Sequence, residues 1–354
     1  MSGWLKALAY GAGGVAVAGL AALVALQERL VYVPVLPGVA RAYPFTPARL
    51  GLTYEDVWLR AADGVRLHSW FIRHSPTCRG KRELPLFDLI LPLFGDTSSL
   101  VCLANNAGVD NFSSDIAHRL EFVRLMMERL QCNVFMLSYR GYDPSELVYR
   151  YGESEGYPSQ NGITYDAQAA LDHLVQRKDI DTSRIVVFGR SLGGAVGAVL
   201  AKNNRDKVLL VSALILENTF TSILDMAGLM LPFLSLMIAR PFSFQLKQPI
   251  LFLSGLQDEL VPPSHMKMLY DRAIEHNKNC RFVDFPNGMH MDTWVSGGSR
   301  YWRTIQLFLD HYAPEVASDD ASCKSEIAED GKSILSLAGF TIVMLSFAFA
   351  IGIS

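Results

Sequence analysis

The chain has 354 residues, of which 50% are hydrophobic and 19% charged, enough for one large or two small domains with a sizeable buried core. Its formal net charge of −3 and its lack of a basic tract give no electrostatic reason to expect nucleic-acid binding. The five cysteines form no CxxC pair and have no histidines at metal-ligand spacing, which favours free thiols in a reducing compartment over a zinc site or disulfides.

The first element along the chain is an uncharged apolar run at residues 7–26. A bilayer core needs about 20 helical residues, so the run has the length of a membrane span. The alternative is a cleaved signal peptide, whose apolar part is usually about 7–15 residues long and ends at a small-residue cleavage site. This run instead ends at Gln27-Glu28-Arg29. We therefore predict a membrane anchor over residues 1–28 and a Pro-rich linker over residues 29–48.

The middle of the chain alternates short apolar runs with helical patterns. Asp63-Gly64 predicts the turn of a hairpin. Its strands are predicted at residues 54–61 and 65–72, and further strands at 100–104, 134–138, 185–188, 213–216, 250–253 and 281–285. Helical patterns lie at residues 116–130, 166–177, 192–203 and 264–276. Apolar strands that alternate with helices predict an α/β domain with a mostly parallel, doubly wound sheet.

A glycine-flanked serine stands between a predicted strand and a predicted helix, in Gly189-Arg190-Ser191-Leu192-Gly193. A strand–turn–helix of this kind is so sharp that only glycines fit beside the serine. The turn presents the hydroxyl at a helix N-terminus, where developing negative charge is favoured. We predict that Ser191 is a nucleophile. The alternative is an ordinary serine in a Gly-rich loop.

An acid and a base follow in the chain order that such a nucleophile requires. Asp258 lies in the loop after the predicted strand 250–253, and His290 lies in the loop after 281–285. Both fall where parallel strands end, which is the edge where open α/β sheets place their sites. We predict that His290 takes the serine proton and that Asp258 orients the imidazole. Glu217, at the end of another strand, stays open as an alternative acid.

Two backbone donors are expected to form an oxyanion hole. One is the N–H of Leu192, the residue after the nucleophile. The other is the N–H of Asn106, in a loop of small residues after the predicted strand 100–104. This chemistry needs no metal and no organic cofactor.

Several motifs recur in the same order in one family. They are Asn106-Ala107-Gly108, residues 116–120, Tyr139-Arg140-Gly141-Tyr142, residues 189–194, Glu217-Asn218-Thr219-Phe220, residues 254–258, residues 261–263 and residues 290–294. Over residues 5–315 the chain resembles the membrane-anchored α/β-hydrolases that include the plant wavy-growth protein and the animal α/β-hydrolase domain-containing protein 13. The resemblance implies an N-terminal anchor, an α/β-hydrolase fold and the same Ser191, Asp258 and His290. Related enzymes remove acyl groups from proteins, so the resemblance suggests ester or thioester substrates.

The sequence departs from the family pattern on both sides of the predicted oxyanion loop, at residues 82–97 and 109–115, and again at 143–151. We assign residues 49–315 to the hydrolase domain, with a short cap at 221–248. The apolar part of the cap is either a helix packed over the core or the wall of an acyl-chain pocket. A polar spacer at 316–332 leads to an uncharged run at 333–354, a candidate second transmembrane segment.

These inferences describe a membrane-anchored serine hydrolase that acts on an acylated small molecule, lipid or protein. The alternative is a catalytically silent scaffold that binds partners at a membrane, since the departures flank the oxyanion loop. Arg29, Arg41, Lys324 and Lys332 flank the domain and favour a cytosolic domain on an endomembrane or the plasma membrane. The sequence carries no signal for an oligomeric state.

Overall fold

The computed structural model describes most of the central part of the chain. The described residues are 46–74, 119–140, 154–204, 211–222, 225–226 and 245–314, the backbone of 341–347, and several helical residues between 10 and 22. None of the helices in these ranges is long and apolar enough to cross a bilayer. The predicted anchor, linker, cap and spacer lie mostly or wholly outside the described residues.

An eight-stranded sheet forms the centre of the described structure. Its strands in chain order are β1 (Thr53–Arg60), β2 (Arg66–Arg73), β3 (Asn133–Leu137), β4 (Ile185–Ser191), β5 (Ala213–Glu217), β6 (Ile250–Gly255), β7 (Cys280–Phe285) and β8 (Thr341–Phe347). Their order across the sheet is β1-β2-β3-β8-β4-β5-β6-β7. β2 is antiparallel to β1 and β3, and all other neighbouring pairs are parallel. The mostly parallel sheet predicted from the sequence is confirmed.

Every strand that was predicted within the described residues is present. The central strands β4, β5 and β6 are buried along their whole length, which explains their continuous apolar sequences. The hairpin turn between β1 and β2 is also as predicted. Gly64 has φ +88, and its N–H donates to the Ala61 carbonyl oxygen at 2.9 Å.

The C-terminal strand β8 lies in the middle of the sheet, between β3 and β4. Its register places Ser191 opposite Phe347, so β8 ends level with the predicted nucleophile. This part of the run at 333–354 is therefore a strand of the sheet, whereas the sequence suggested a transmembrane segment. A position between two parallel strands satisfies the backbone hydrogen bonds on both sides of the segment. The strand predicted at 100–104 lies outside the described residues.

Five α-helices of the described residues cover the two faces of the sheet. They are α1 (Leu120–Leu130), α2 (Gln160–Val175), α3 (Leu192–Asn203), α4 (Pro263–Ile274) and α5 (Thr293–Tyr312). Buried side chains of α2, α3 and α4 pack into one hydrophobic cluster with the sheet. Those of α1 and α5 pack into a second cluster on the other face. The result is a three-layer α/β/α arrangement with its loops at the sheet edges.

Candidate active site

The strand–serine–helix turn expected at Ser191 is present. Ser191 ends β4 and Leu192 begins α3, so no loop residue separates strand from helix. Ser191 has φ +56 and ψ −129, a conformation that non-glycine residues rarely adopt and that is concentrated at functional sites. The surroundings leave no room for side chains beside it. A Cβ on Gly189 would lie 2.5 Å from the Gly193 carbonyl oxygen, and a Cβ on Gly194 would lie 2.6 Å from the Thr219 Cβ.

His290 and Asp258 form a direct, buried pair. His290 Nδ1 lies 2.8 Å from Asp258 Oδ2, and the two side chains are 0% and 1% exposed. The other carboxylate oxygen of Asp258 accepts the backbone N–H groups of Leu260, at 2.9 Å, and Val261, at 2.7 Å. These bonds fix the carboxylate and leave Nε2 as the ring nitrogen available to exchange a proton.

The side chains of Ser191 and His290, the predicted nucleophile and base, are both buried. Neither Ser191 Oγ nor His290 Nε2 has a hydrogen-bond partner within the described part of the chain. The bond expected between them is therefore not formed in this structure. Catalytic hydrogen bonds are often long before substrate binds and shorten in the complex.

Of the two predicted oxyanion donors, only Leu192 lies within the described residues. The N–H of Leu192 belongs to the first turn of α3, where backbone donors have no partner within the helix. Asn106 lies outside the described residues.

Glu217, the alternative acid, is engaged elsewhere. Its carboxylate lies 2.7 Å from Arg190 Nε and 3.2 Å from the Tyr301 hydroxyl, and none of these side chains is exposed. Burial raises the pKa of Tyr301 well above its usual value, so its hydroxyl is a hydrogen-bond donor here. Burial opposes the charge on Arg190, but the interactions with Glu217 and Tyr301 together outweigh burial and raise the pKa of Arg190. Asp258 is therefore the carboxylate that pairs with His290.

Three residues near the pair had no role assigned from the sequence. Glu259 Oε2 accepts the backbone N–H of His290 at 3.1 Å. Thr219 Oγ1 donates to the Ser191 carbonyl oxygen at 2.5 Å, and the Asn218 amide contacts the loop that carries His290. Asn218 and Thr219 belong to one of the recurring family motifs, and that motif was the sequence feature that could have marked them as site residues. Nothing in that motif shows which neighbours its side chains contact.

No site for a metal ion is found among the residues that the structure describes. These ranges contain no group of three or more His, Cys, Asp and Glu side chains that could hold one.

Comparison with known proteins places this arrangement in a family. No family sequence model matches the chain. The chain is 57% identical over 337 residues to the α/β-hydrolase domain-containing protein WAV2 of Arabidopsis thaliana. This alignment covers 90% of this chain and 98% of WAV2. The chain is also 35% identical over 294 residues to protein bem46 of Schizosaccharomyces pombe. That alignment covers 80% of this chain and 85% of bem46. The chain belongs to the α/β-hydrolase family of WAV2 and bem46.

Further similarities agree with this assignment. The uncharacterized membrane protein YNL320W of Saccharomyces cerevisiae is 33% identical over 300 residues, covering 82% of this chain and 91% of that protein. Among solved structures, the esterase Pf2001 of Pyrococcus furiosus superposes with a TM-score of 0.55 at 18% identity, covering 80% of this chain and 98% of the esterase. The latter likeness supports the α/β-hydrolase fold alone.

Proposed function

We propose that this α/β-hydrolase is a serine hydrolase that cleaves an ester or thioester through Ser191, His290 and Asp258. The observation that carries the proposal is the buried His290–Asp258 pair, 2.8 Å apart, at the same sheet edge as a serine with φ +56. A base oriented by a carboxylate can activate a serine hydroxyl, and strained backbone is concentrated at functional sites.

The reaction runs through an acyl-enzyme. Ser191 Oγ attacks the substrate carbonyl carbon while His290 Nε2 takes the hydroxyl proton, and the carbonyl oxygen becomes an oxyanion. The N–H of Leu192 stabilises that charge, with the N–H of Asn106 as the second donor. The tetrahedral intermediate expels the alcohol or thiol, which leaves with the proton from His290. Water then attacks the acyl-serine with His290 again as base, releasing the acid and restoring the hydroxyl.

The substrate class and location belong to the same proposal. An acylated small molecule, lipid or protein supplies the carbonyl, and the enzyme is anchored at an endomembrane or the plasma membrane with its domain in the cytosol. The uncharged run at residues 7–26 and the membrane-protein name of the yeast relative YNL320W support the anchor. A membrane position would bring the domain close to lipid-linked acyl groups.

Steady-state hydrolysis of p-nitrophenyl butyrate and butyrylthiocholine by the full chain in detergent tests this function. We expect Ser191→Ala and His290→Ala each to lower kcat by roughly 10⁴-fold or more, because each removes a member of a unit that acts together. Ser69→Ala is the matched control, since Ser69 is also a buried serine whose hydroxyl has no partner within the described residues. It lies on β2, away from the site, and should keep the wild-type rate.

Two observations favour the silent-scaffold alternative: the departures from the family pattern around the predicted oxyanion loop, and the unformed bond between Ser191 and His290. A scaffold would give a folded wild-type chain with the same background rate as Ser191→Ala on both substrates. Turnover that depends on both Ser191 and His290 would rule it out.

A further inference from the structure

Asn218 directly follows β5 at the catalytic edge of the sheet. It is 1% exposed and has φ +46, a left-handed conformation that asparagine adopts more readily than most other residues. The side-chain amide of asparagine has two N–H donors and a carbonyl oxygen that accepts. When the amide is buried, its hydrogen-bond partners show which segments it links.

The amide nitrogen of Asn218 contacts the segment that carries the base. Nδ2 lies 3.0 Å from the His290 carbonyl oxygen, 3.1 Å from the Met289 carbonyl oxygen and 2.9 Å from Thr293 Oγ1. The Thr293 hydroxyl in turn donates to the Met289 carbonyl oxygen at 2.8 Å. These bonds fix the backbone of His290 and the start of α5 relative to the end of β5.

The amide oxygen of Asn218 contacts the segment that carries the acid. Oδ1 accepts the N–H of Gly255 at 2.7 Å. Gly255 ends β6 and begins the loop to Asp258. The two loops also touch each other, because a Cβ on Gly255 would lie 2.5 Å from the Gly288 carbonyl oxygen. One side chain therefore joins the acid loop to the base loop.

We propose that Asn218 is a positioning residue that sets His290 against Asp258 and aims the imidazole at Ser191. This inference rests on the proposed hydrolase function. The bond between His290 and Asp258 requires two separate loops to hold a fixed spacing, and Asn218 is bonded to both. A displacement of about 1 Å at a reacting group costs roughly 100-fold in rate.

Asn277 provides a matched control within the same domain. It is 6% exposed, and its Nδ2 donates to the carbonyl oxygens of Leu246, at 3.1 Å, and Gln248, at 2.7 Å. Its Oδ1 accepts the N–H of Asn279 at 2.9 Å. Asn277 therefore has the same pattern of buried amide bonds as Asn218. Because Asn277 precedes β7, it lies at the opposite edge of the sheet from the loops that carry Asp258 and His290.

The experiment compares Asn218→Gly with Asn277→Gly in the full chain. Glycine suits the positive φ of Asn218, so the substitution removes the side chain without adding backbone strain. Active sites are counted by exhaustive reaction with a fluorophosphonate probe, and hydrolysis of p-nitrophenyl butyrate is expressed as kcat per counted site. We expect Asn218→Gly to lower kcat per site roughly 100-fold with KM changed by no more than about threefold. Asn277→Gly should keep both values near wild type.

The possible outcomes separate positioning from stability. Equal kcat per site in the two variants would overturn the proposal, even if the number of sites fell. Loss of the cooperative thermal transition in Asn218→Gly would also overturn it, because the residue would then serve the fold. A wild-type chain that neither reacts with the probe nor turns over would instead refute the proposed function itself.

Asn218→Asp separates the contributions of the two loops. The carboxylate can still accept the Gly255 N–H, but it cannot donate to the base loop and would face the carbonyl oxygens of Met289 and His290. We expect kcat per site as low as that of Asn218→Gly. Wild-type turnover in Asn218→Asp would show that the bonds to the base loop have no positioning role.

Discussion

Arg190, the residue before Ser191, forms an ion pair with Glu217, and neither side chain is exposed. A second arginine, Arg119, is also buried nearby, and burial together with the charge of Arg190 lowers its pKa well below the usual value. The Glu217 carboxylate is therefore the counter-charge for a region that holds two guanidinium groups. Removing one partner of a buried pair leaves an uncompensated charge in the interior.

We predict that Glu217→Gln lowers the free energy of unfolding by about 3–5 kcal/mol. Urea unfolding followed by circular dichroism measures the change. The control is Glu121→Gln, which removes an exposed partner of Arg124 on α1 and should cost less than about 1 kcal/mol. Equal unfolding midpoints for the two variants would mean that the buried pair is not needed for stability.

The sequence predicted which residues form the candidate site, and the structure brings Asp258 and His290 together, but the residues that hold them in place were not predictable. Ser191, Asp258 and His290 follow from a glycine-flanked turn and a fixed chain order. Glu217 and Asp258 both follow strands, so the sequence alone left the acid open. The choice between them depends on Arg190, because its side chain hydrogen-bonds the Glu217 carboxylate. Such a pairing across two strands leaves no pattern in a single sequence.

At the scale of elements, β8 occupies an interior position in the sheet. It pairs with β3 on one side and with β4, the strand that ends at Ser191, on the other. The segment was not predicted as a strand, because a continuous apolar run is typical of both a doubly buried strand and a membrane span. Helix α5 was missed for another reason. Its helical pattern is interrupted at Gly298, which has φ +49.

We predict that deleting residues 333–354 prevents formation of a stable domain. The deletion would leave the facing edges of β3 and β4 without partners, and unpaired backbone groups in the interior are costly. Soluble yield and the cooperativity of thermal unfolding measure the effect. Deletion of residues 348–354, which keeps β8, is the control and should leave unfolding cooperative. If the longer deletion also folds normally, another segment, such as the strand predicted at 100–104, must fill the position.

At the scale of the whole molecule, the alternation of strands and helices was enough to predict the fold. Continuously apolar strands need cover on both faces of the sheet, and the amphipathic helices between them provide that cover. The convergence of the loops after β4, β5, β6 and β7 at one edge follows from their parallel directions. Side chains such as Asn218 contact two of these loops, and such contacts could be seen only in the structure.

The central claim is that Ser191 is an activated nucleophile. Its most direct test is reaction of the folded, membrane-expressed chain with a fluorophosphonate probe, followed by peptide mass mapping of the labelled residue. We predict a single adduct on Ser191, absent in Ser191→Ala and strongly slowed in His290→Ala, because the hydroxyl needs a base to remove its proton. A folded wild-type chain that forms no adduct, or one that is labelled equally well without His290, would contradict the account.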